Sequence, residues 1–251
     1  AVKIFRPIFG LNSTEAVSRF RNEGISACRV NHPNAVMVLD SGVSSEGIVY
    51  LVMELLSGPT LHEYMLQQPQ LSLSRCFQLM LPLCEVLVAA HAAGIVHRDI
   101  KPENILLHHS VQGEVVKVLD FGIAKLLERD SRDRTTMAEN DRLPGTPEYM
   151  APERCTGLEH DGRSDVYSAA MILYELLCGQ GPFGRDLQNV HRVLLNHIAA
   201  EPTSPRLHRP NIPPALEALI LRALKKDPAQ RPTAQEFRDE LCAVMSVAPA
   251  G

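Results

Sequence analysis

The sequence has little that points to a metal centre, a disulfide framework, a bilayer or a nucleic acid. Its six cysteines, Cys28, Cys76, Cys84, Cys155, Cys178 and Cys242, show no CxxC or other metal spacing, the pattern of plain thiols in a reducing compartment. None of the ten histidines stands in an HExxH pattern, and the His108-His109 pair, ahead of a turn expected at Gln112-Gly113, reads as solvated. A formal net charge of only -4 gives no support to a nucleic-acid or polybasic membrane role. No apolar run approaches the roughly 20 residues that span a bilayer, and no secretory leader is expected at the start. Internal repeats, long linkers and low-complexity tracts are missing too. What is present is a 45% apolar content in 251 residues, enough for one large domain or two small lobes around a sizeable core.

The chain is organised around His97-Arg98-Asp99-Ile100-Lys101-Pro102-Glu103-Asn104. An apolar helix is expected over 74–93, ended by Gly94, and the β-rich run Ile105-Leu106-Leu107 follows the octet. Asp99, Lys101 and Asn104 therefore sit on a loop between a buried helix and a strand, where catalytic groups are often held. An acid, a cation and an amide within six residues suit phosphoryl transfer. The carboxylate orients a hydroxyl and takes its proton, the ammonium meets the charge on the moving phosphoryl group, and the amide oxygen binds a hard cation such as Mg2+.

Around that loop the pattern alternates between short strands and helices. Lys3 stands in an alternating strand, Ala1-Val2-Lys3-Ile4-Phe5. Asn12 and Glu15 form a capping box for a helix reaching about Arg29, and strands are expected over 36–39 and 48–53. Pro82 should kink or break the long helix. Val115 to Leu119 reads as a buried strand, followed by Asp120-Phe121-Gly122. A carboxylate there, beside a flexible glycine, can reach a metal while the phenylalanine packs inward. Residues 123–144 turn polar and aperiodic, as in a loop. Helices are expected over 164–178, apolar nearly all round, then 186–199 and 215–225. A last one begins at the Thr233–Glu236 capping box and ends near Met245.

The octet, the Asp-Phe-Gly triplet and Gly145-Thr146-Pro147-Glu148-Tyr149-Met150-Ala151-Pro152-Glu153 together resemble the eukaryotic-type Ser/Thr protein kinases. The ending Asp227-Pro228-Ala229-Gln230-Arg231-Pro232 resembles bacterial members especially. The resemblance implies an α+β, two-lobed fold: a partial, β-rich small lobe over 1–53, a hinge at 54–58 and a mainly helical large lobe over 59–251. It implies ATP and Mg2+ as cofactors and Ser/Thr-bearing proteins as substrates, without nucleic acid and without a membrane segment in this chain. It also implies a cytoplasmic location, alone or as the cytoplasmic part of a larger or membrane-anchored protein. Asp99, Lys101 and Asn104 take the catalytic places, and Asn104 and Asp120 the metal-binding ones. Lys3 corresponds to the phosphate-holding strand lysine. Glu23, with Glu15 as rival, corresponds to its helical partner. The main chain of Glu54 and Leu56 would meet adenine, with Met53 as gatekeeper and Leu106 as a further nucleotide-site residue. Arg98 implies control by phosphorylation at Thr135 or Thr136, less favourably Ser131. Thr146 would contact Asp99 and Lys101, Glu153 would pair with Arg231, and Asp165 would hold the catalytic-loop backbone.

One departure stands out. The family carries a Gly-rich phosphate loop on two strands ahead of this lysine, and nothing precedes Ala1. The chain as given is therefore expected to bind ATP weakly, with Lys3 on an exposed edge strand. Two rival readings follow, a pseudokinase-like binding or scaffold module and a small-molecule phosphotransferase. Lys3, Asp99, Asn104 and Asp120 argue against the first. Lys101 and the segment 145–153, which serve a peptide substrate, argue against the second.

Overall fold

The computed structural model describes residues 1–5, 30–44, 48–121, 147–184 and 189–247. Its smaller part is a three-stranded antiparallel sheet of β1 (Val2–Phe5), β2 (Val38–Val43) and β3 (Val49–Met53), in the order β1-β3-β2. Lys3 pairs with Leu51 across β1 and β3. Leu51 is almost fully buried and packs against Val38 and Met53. On edge strand β1, Val2 and Ile4 are exposed. Strand β2 starts later than expected because residues 35 and 36 have another partner. Ala35 bridges Val118, and the Val36 N–H donates to the Val118 carbonyl at 2.9 Å. Those two residues fasten the sheet to the larger part instead of extending it.

The larger part is helical around one hairpin. Helix α1 (Leu61–Gln67), which the hydrophobic pattern did not reveal, opens on a complete capping box between Thr60 and Glu63. Helix α2 (Leu73–Ala92) begins at N-cap Ser72 and passes through Pro82 as one element. The expected break does not occur: proline removes one backbone donor, while Leu79, Met80, Leu83, Cys84, Val86 and Leu87 around it are all buried. By length and composition α2 could cross a membrane, contrary to the reading that no apolar run is long enough. Strands β4 (Ile105–Ser110) and β5 (Gly113–Val118) form the hairpin. His108 is not left to solvent there, since the Ser57 N–H donates to its Nδ1 at 3.1 Å.

Beyond the hairpin come α3 (Pro152–Cys155), α4 (Arg163–Cys178), α5 (Val190–Ala199), α6 (Pro205–His208), α7 (Pro214–Ala223) and α8 (Ala234–Val247). Thirteen of the residues of α4 are buried, so it is the central post that its all-round apolar sequence anticipates. Helices α2, α7 and α8 pack with it in one core. The capping box before α8 is present, with Thr233 N–H donating to Glu236 Oε2 at 2.7 Å. Helix α5 is described only from its N-cap Asn189. The helix expected over 12–29 lies outside the described residues.

Candidate active site

The octet is held from three sides. At its start, His97 is fully buried. Its Nδ1 accepts the Asp99 N–H at 3.2 Å, so Nε2 carries the proton and donates to the Leu119 carbonyl at 2.7 Å. Burial pushes the imidazole below its ordinary pKa and keeps it neutral. Phe121 lies edge-on to the ring at 4.6 Å between centroids. The histidine thus joins the loop of Asp99 to the strand end that carries Asp120.

The second support is Asp165, in the first turn of α4 and 1% exposed. Its Oδ2 accepts from the His97 main-chain N–H and from His91 Nε2, each at 2.8 Å, and its Oδ1 accepts the Arg98 N–H at 2.8 Å. Burial would raise this carboxyl, but the bond and charge of His91 and the main-chain donors outweigh it and hold the pKa below the ordinary value. Arg98 has φ +72°, a left-handed conformation that costs roughly 1–2 kcal/mol for a side-chain-bearing residue. Charge-assisted bonds to Asp165 offset that strain. The contact with His91 also accounts for Gly162, because a Cβ there would lie 2.5 Å from His91 Nδ1.

The third support is Asn104, 8% exposed at the end of the 3-10 turn Pro102–Asn104. Its Nδ2 donates to the Asp99 carbonyl at 2.7 Å and to Asp99 Oδ2 at 3.0 Å. Lys101 Nζ reaches the same Oδ2 at 2.9 Å. With its amide nitrogen committed, Asn104 presents Oδ1 as a hard oxygen donor. The Leu119 N–H donates to the Asn104 carbonyl at 2.8 Å, which brings the next residue, Asp120, alongside. Asp120 stands at φ +63°, and Lys3 Nζ lies 2.5 Å from its Oδ2. Phe121 packs inward, 4% exposed. A carboxylate and an amide oxygen fit a hard divalent cation that keeps most of its ligands from phosphate or water. Among the described residues no group of three or more His, Cys, Asp or Glu could hold a metal by itself.

Between the two parts, the main chain at 54–58 is pinned. Glu54 N–H donates to the Met37 carbonyl at 3.0 Å, and Glu54 Oε1 accepts from the Met37 N–H at 2.8 Å and from Lys117 Nζ at 2.7 Å. Burial raises the Glu54 carboxyl, but Lys117 and the Met37 N–H bring it below its ordinary pKa. The Glu54 N–H being committed to Met37, the main-chain group that Glu54 leaves for another partner is its carbonyl. Gly58 (φ +127°) passes so close to β4 that a Cβ would lie 2.0 Å from the Leu107 carbonyl oxygen. Leu56 and Leu106 are half-buried near this crossing, and Leu106 bridges Thr60. A small apolar pocket beside Asp120 and Phe121 is lined by Val36, Val38, Leu51 and Met53.

Away from this centre, Glu153 and Arg231 form a buried bidentate pair at 2.8 and 2.7 Å, to which the Ser164 hydroxyl donates as well. Glu23, Ser131, Thr135, Thr136 and Thr146 lie outside the described residues. Sequence reasoning missed His91, Gly162 and Lys117. His91 carried a faint signal, as a polar residue on the buried face of a long apolar helix.

The sequence profile of the protein kinase domain family matches residues 1–241. Serine/threonine-protein kinase pkn3 of Myxococcus xanthus is 40% identical over 238 residues, 93% of this chain and 43% of that protein. Serine/threonine-protein kinase PrkC of Bacillus subtilis is 36% identical over 242 residues, 96% of this chain and 36% of that protein. The chain thus spans less than half the length of these curated relatives. The crystal structure of a double mutant of the Mycobacterium tuberculosis PknI kinase domain superposes with a TM-score of 0.69 at 24% identity, covering 96% of this chain and 83% of that one. That likeness concerns the two-lobed fold.

Proposed function

Because the chain belongs to the protein kinase domain family, we propose that it transfers the γ-phosphate of ATP to Ser or Thr hydroxyls of protein substrates. The observation that carries this reading is the Asp99 carboxylate, fixed by Lys101 at 2.9 Å and Asn104 at 3.0 Å, with Asp120 joined to the same turn through Leu119 and Asn104. Asp99 orients the substrate hydroxyl and receives its proton as the oxygen attacks phosphorus. Lys101, already at the carboxylate, faces the negative charge of the transferred group. Asn104 Oδ1 and Asp120 would hold Mg2+, which when bound would neutralise the charge of the phosphates. Lys3 then exchanges Asp120 for the phosphate oxygens. The carbonyl of Glu54 and the main chain of Leu56 orient adenine, with Leu106 near the same crossing.

The relatives, named serine/threonine-protein kinases, support the choice of substrate hydroxyl. Thr146 would report on that hydroxyl by contacting Asp99 and Lys101. Thr135 and Thr136 are the proposed acceptors of a regulatory phosphate that would pair with Arg98. Incubation with γ-labelled ATP, Mg2+ and a Ser/Thr-containing protein, followed by phosphoamino-acid analysis, tests the reading. Label in phosphoserine or phosphothreonine is expected. Label found only in small molecules, or none at all, contradicts it.

A further inference from the structure

Strand β5 serves two faces. Val116 and Val118 are buried in the core, and Lys117 between them belongs to the opposite face, as alternation along a strand requires. Directly across the hairpin from Lys117 stands Leu106 of β4, so the two share the face that meets the chain crossing at 54–58. From there Lys117 Nζ reaches Glu54 Oε1 at 2.7 Å, with the two side chains 13% and 20% exposed. The same Oε1 accepts the Met37 N–H at 2.8 Å, and the Glu54 N–H donates back to the Met37 carbonyl at 3.0 Å. Met37 in turn follows a stretch laid along β5. Asn34 Nδ2 donates to the Val116 carbonyl at 2.8 Å, and the Val118 N–H donates to the Asn34 carbonyl at 2.7 Å. Strand β5 therefore grips Glu54 twice, directly through Lys117 and indirectly through the segment that ends at Met37.

The chain is fixed again at Ser57. The Ser57 N–H donates to His108 Nδ1 at 3.1 Å, the His109 N–H to the Ser57 carbonyl at 2.8 Å, and the Leu107 N–H to the Pro59 carbonyl at 2.9 Å. Only Leu55 and Leu56 lie between the two fixed points, and neither makes a main-chain hydrogen bond among the described residues. So short a span has little slack, and a displacement of Glu54 passes straight into it. The Glu54 carbonyl can only accept a hydrogen bond. Adenine carries an amino donor on its six-ring where guanine carries a carbonyl acceptor. A carbonyl held in place therefore satisfies the first base and faces the oxygen of the second unpaired.

We propose that Lys117 is a positioning residue for base recognition: by holding the Glu54 side chain it fixes the Glu54 carbonyl for the adenine amino group, and so sets the preference for adenine over guanine nucleotides. The inference rests on the kinase reading, under which residues 54–58 meet the nucleotide. An ion pair of purely structural value would act on stability and on every substrate alike, without sorting one base from the other.

The test uses the whole chain with Lys117→Met, which keeps an unbranched stem and removes the ammonium, and Lys117→Arg, which restores a cationic donor. ATP KM, the inhibition constant of GTP against ATP, peptide KM and kcat are measured with Mg2+ present. In Lys117→Met, ATP KM should rise about tenfold, the change that one ordinary hydrogen bond corresponds to. The GTP constant, peptide KM and kcat should stay within about twofold, so the preference for adenine falls by the same factor. Lys117→Arg should recover most of it. An unchanged ATP-to-GTP ratio, equal behaviour of the two variants, or parallel movement of peptide KM overturns the proposal, as does a wild type that holds both nucleotides equally. Should Lys117→Met fail to fold, Glu54→Gln keeps an acceptor for the Met37 N–H while losing the charge that Lys117 holds, and should lower the ratio in the same direction; no shift counts against the proposal. A wild-type chain that binds neither nucleotide overturns the kinase reading and the role of Lys117 with it, whereas normal ATP use with an unmoved ratio in the variants overturns the role of Lys117 alone.

Discussion

Lys3 Nζ sits 2.5 Å from Asp120 Oδ2. The cation expected on the ATP phosphates and the carboxylate expected on the metal are therefore partners of one another. Their side chains are 37% and 22% exposed, so water screens the pair, and it is worth no more than about 1 kcal/mol. On the proposed function, nucleotide and cation would displace so weak a contact and take up both groups. The pair also keeps Asp120 in place at a backbone angle, φ +63°, that side-chain-bearing residues rarely adopt.

Asp120→Asn and Asn104→Ala should weaken nucleotide binding only when the cation is present. Each removes a proposed oxygen ligand. Titrating Mg2+ against nucleotide affinity checks this, with the apparent Mg2+ requirement expected to rise about tenfold or more, as for loss of a hydrogen-bonded charge. Identical Mg2+ dependence in wild type and both variants would refute the metal assignment.

Asp165→Ala should damage both stability and rate. It leaves His91 without its acid and the N–H groups of His97 and Arg98 without an acceptor, and it leaves the strain at Arg98 unopposed. Breaking such a buried, charged network costs about 3–5 kcal/mol. Thermal unfolding together with kcat at a temperature where the variant is folded provides the check. A stable variant of normal rate would show that the loop positions itself.

The Glu153–Arg231 pair predicts an acid-side loss of stability. Burial raises the Glu153 carboxyl, but the bonds from Arg231 and Ser164 hold it below 4.5. A depressed carboxyl contributes stability that is complete above its unfolded value and is lost as pH falls through its folded value. At pH 7, Glu153→Gln should cost about 3 kcal/mol or more, since Arg231 is left charged and buried. The gap between wild type and variant should narrow below pH 4.5 in urea unfolding. A gap independent of pH would mean that the pair is not ionised in the folded state.

His197 predicts a separate pH effect of the same sign. Its folded pKa of about 4 lies under the ordinary 6.5, so the unfolded chain binds the extra proton first. Stability should therefore fall as pH drops from 6.5 toward 4. His197→Gln should flatten the stability profile in that window by about 1–3 kcal/mol. Equal slopes for wild type and variant would place the ring in a more polar setting than its burial implies.

The centre was legible because its groups are close in the chain. Asp99, Lys101 and Asn104 lie within one loop, and the Asp-Phe-Gly triplet follows the next strand, so spacing alone brought them together. Glu153–Arg231 and Asp165 were legible only through the family pattern, as residues distant in sequence carry no local mark of their pairing. What escaped was decided by tertiary contact. Val36 read as the start of a strand, yet with Ala35 it turns to Val118, and no local propensity records that choice. The approach of Gly162 to His91 has no trace in either neighbourhood. Pro82 was read by its intrinsic cost, which packing along α2 outweighs. Thr60 and Glu63 have capping-box spacing in the sequence too, but the seven-residue helix behind them is too short to show a helical period.

The most direct measurement is phosphate transfer from γ-labelled ATP to a Ser-containing protein by wild type and Asp99→Asn, with ATP binding measured in both. Asparagine keeps the shape and the contact with Asn104 but cannot take the hydroxyl proton. If Asp99 is the base, transfer falls by about 10²-fold or more while ATP affinity holds. Transfer at the wild-type rate by Asp99→Asn would contradict the account at its centre.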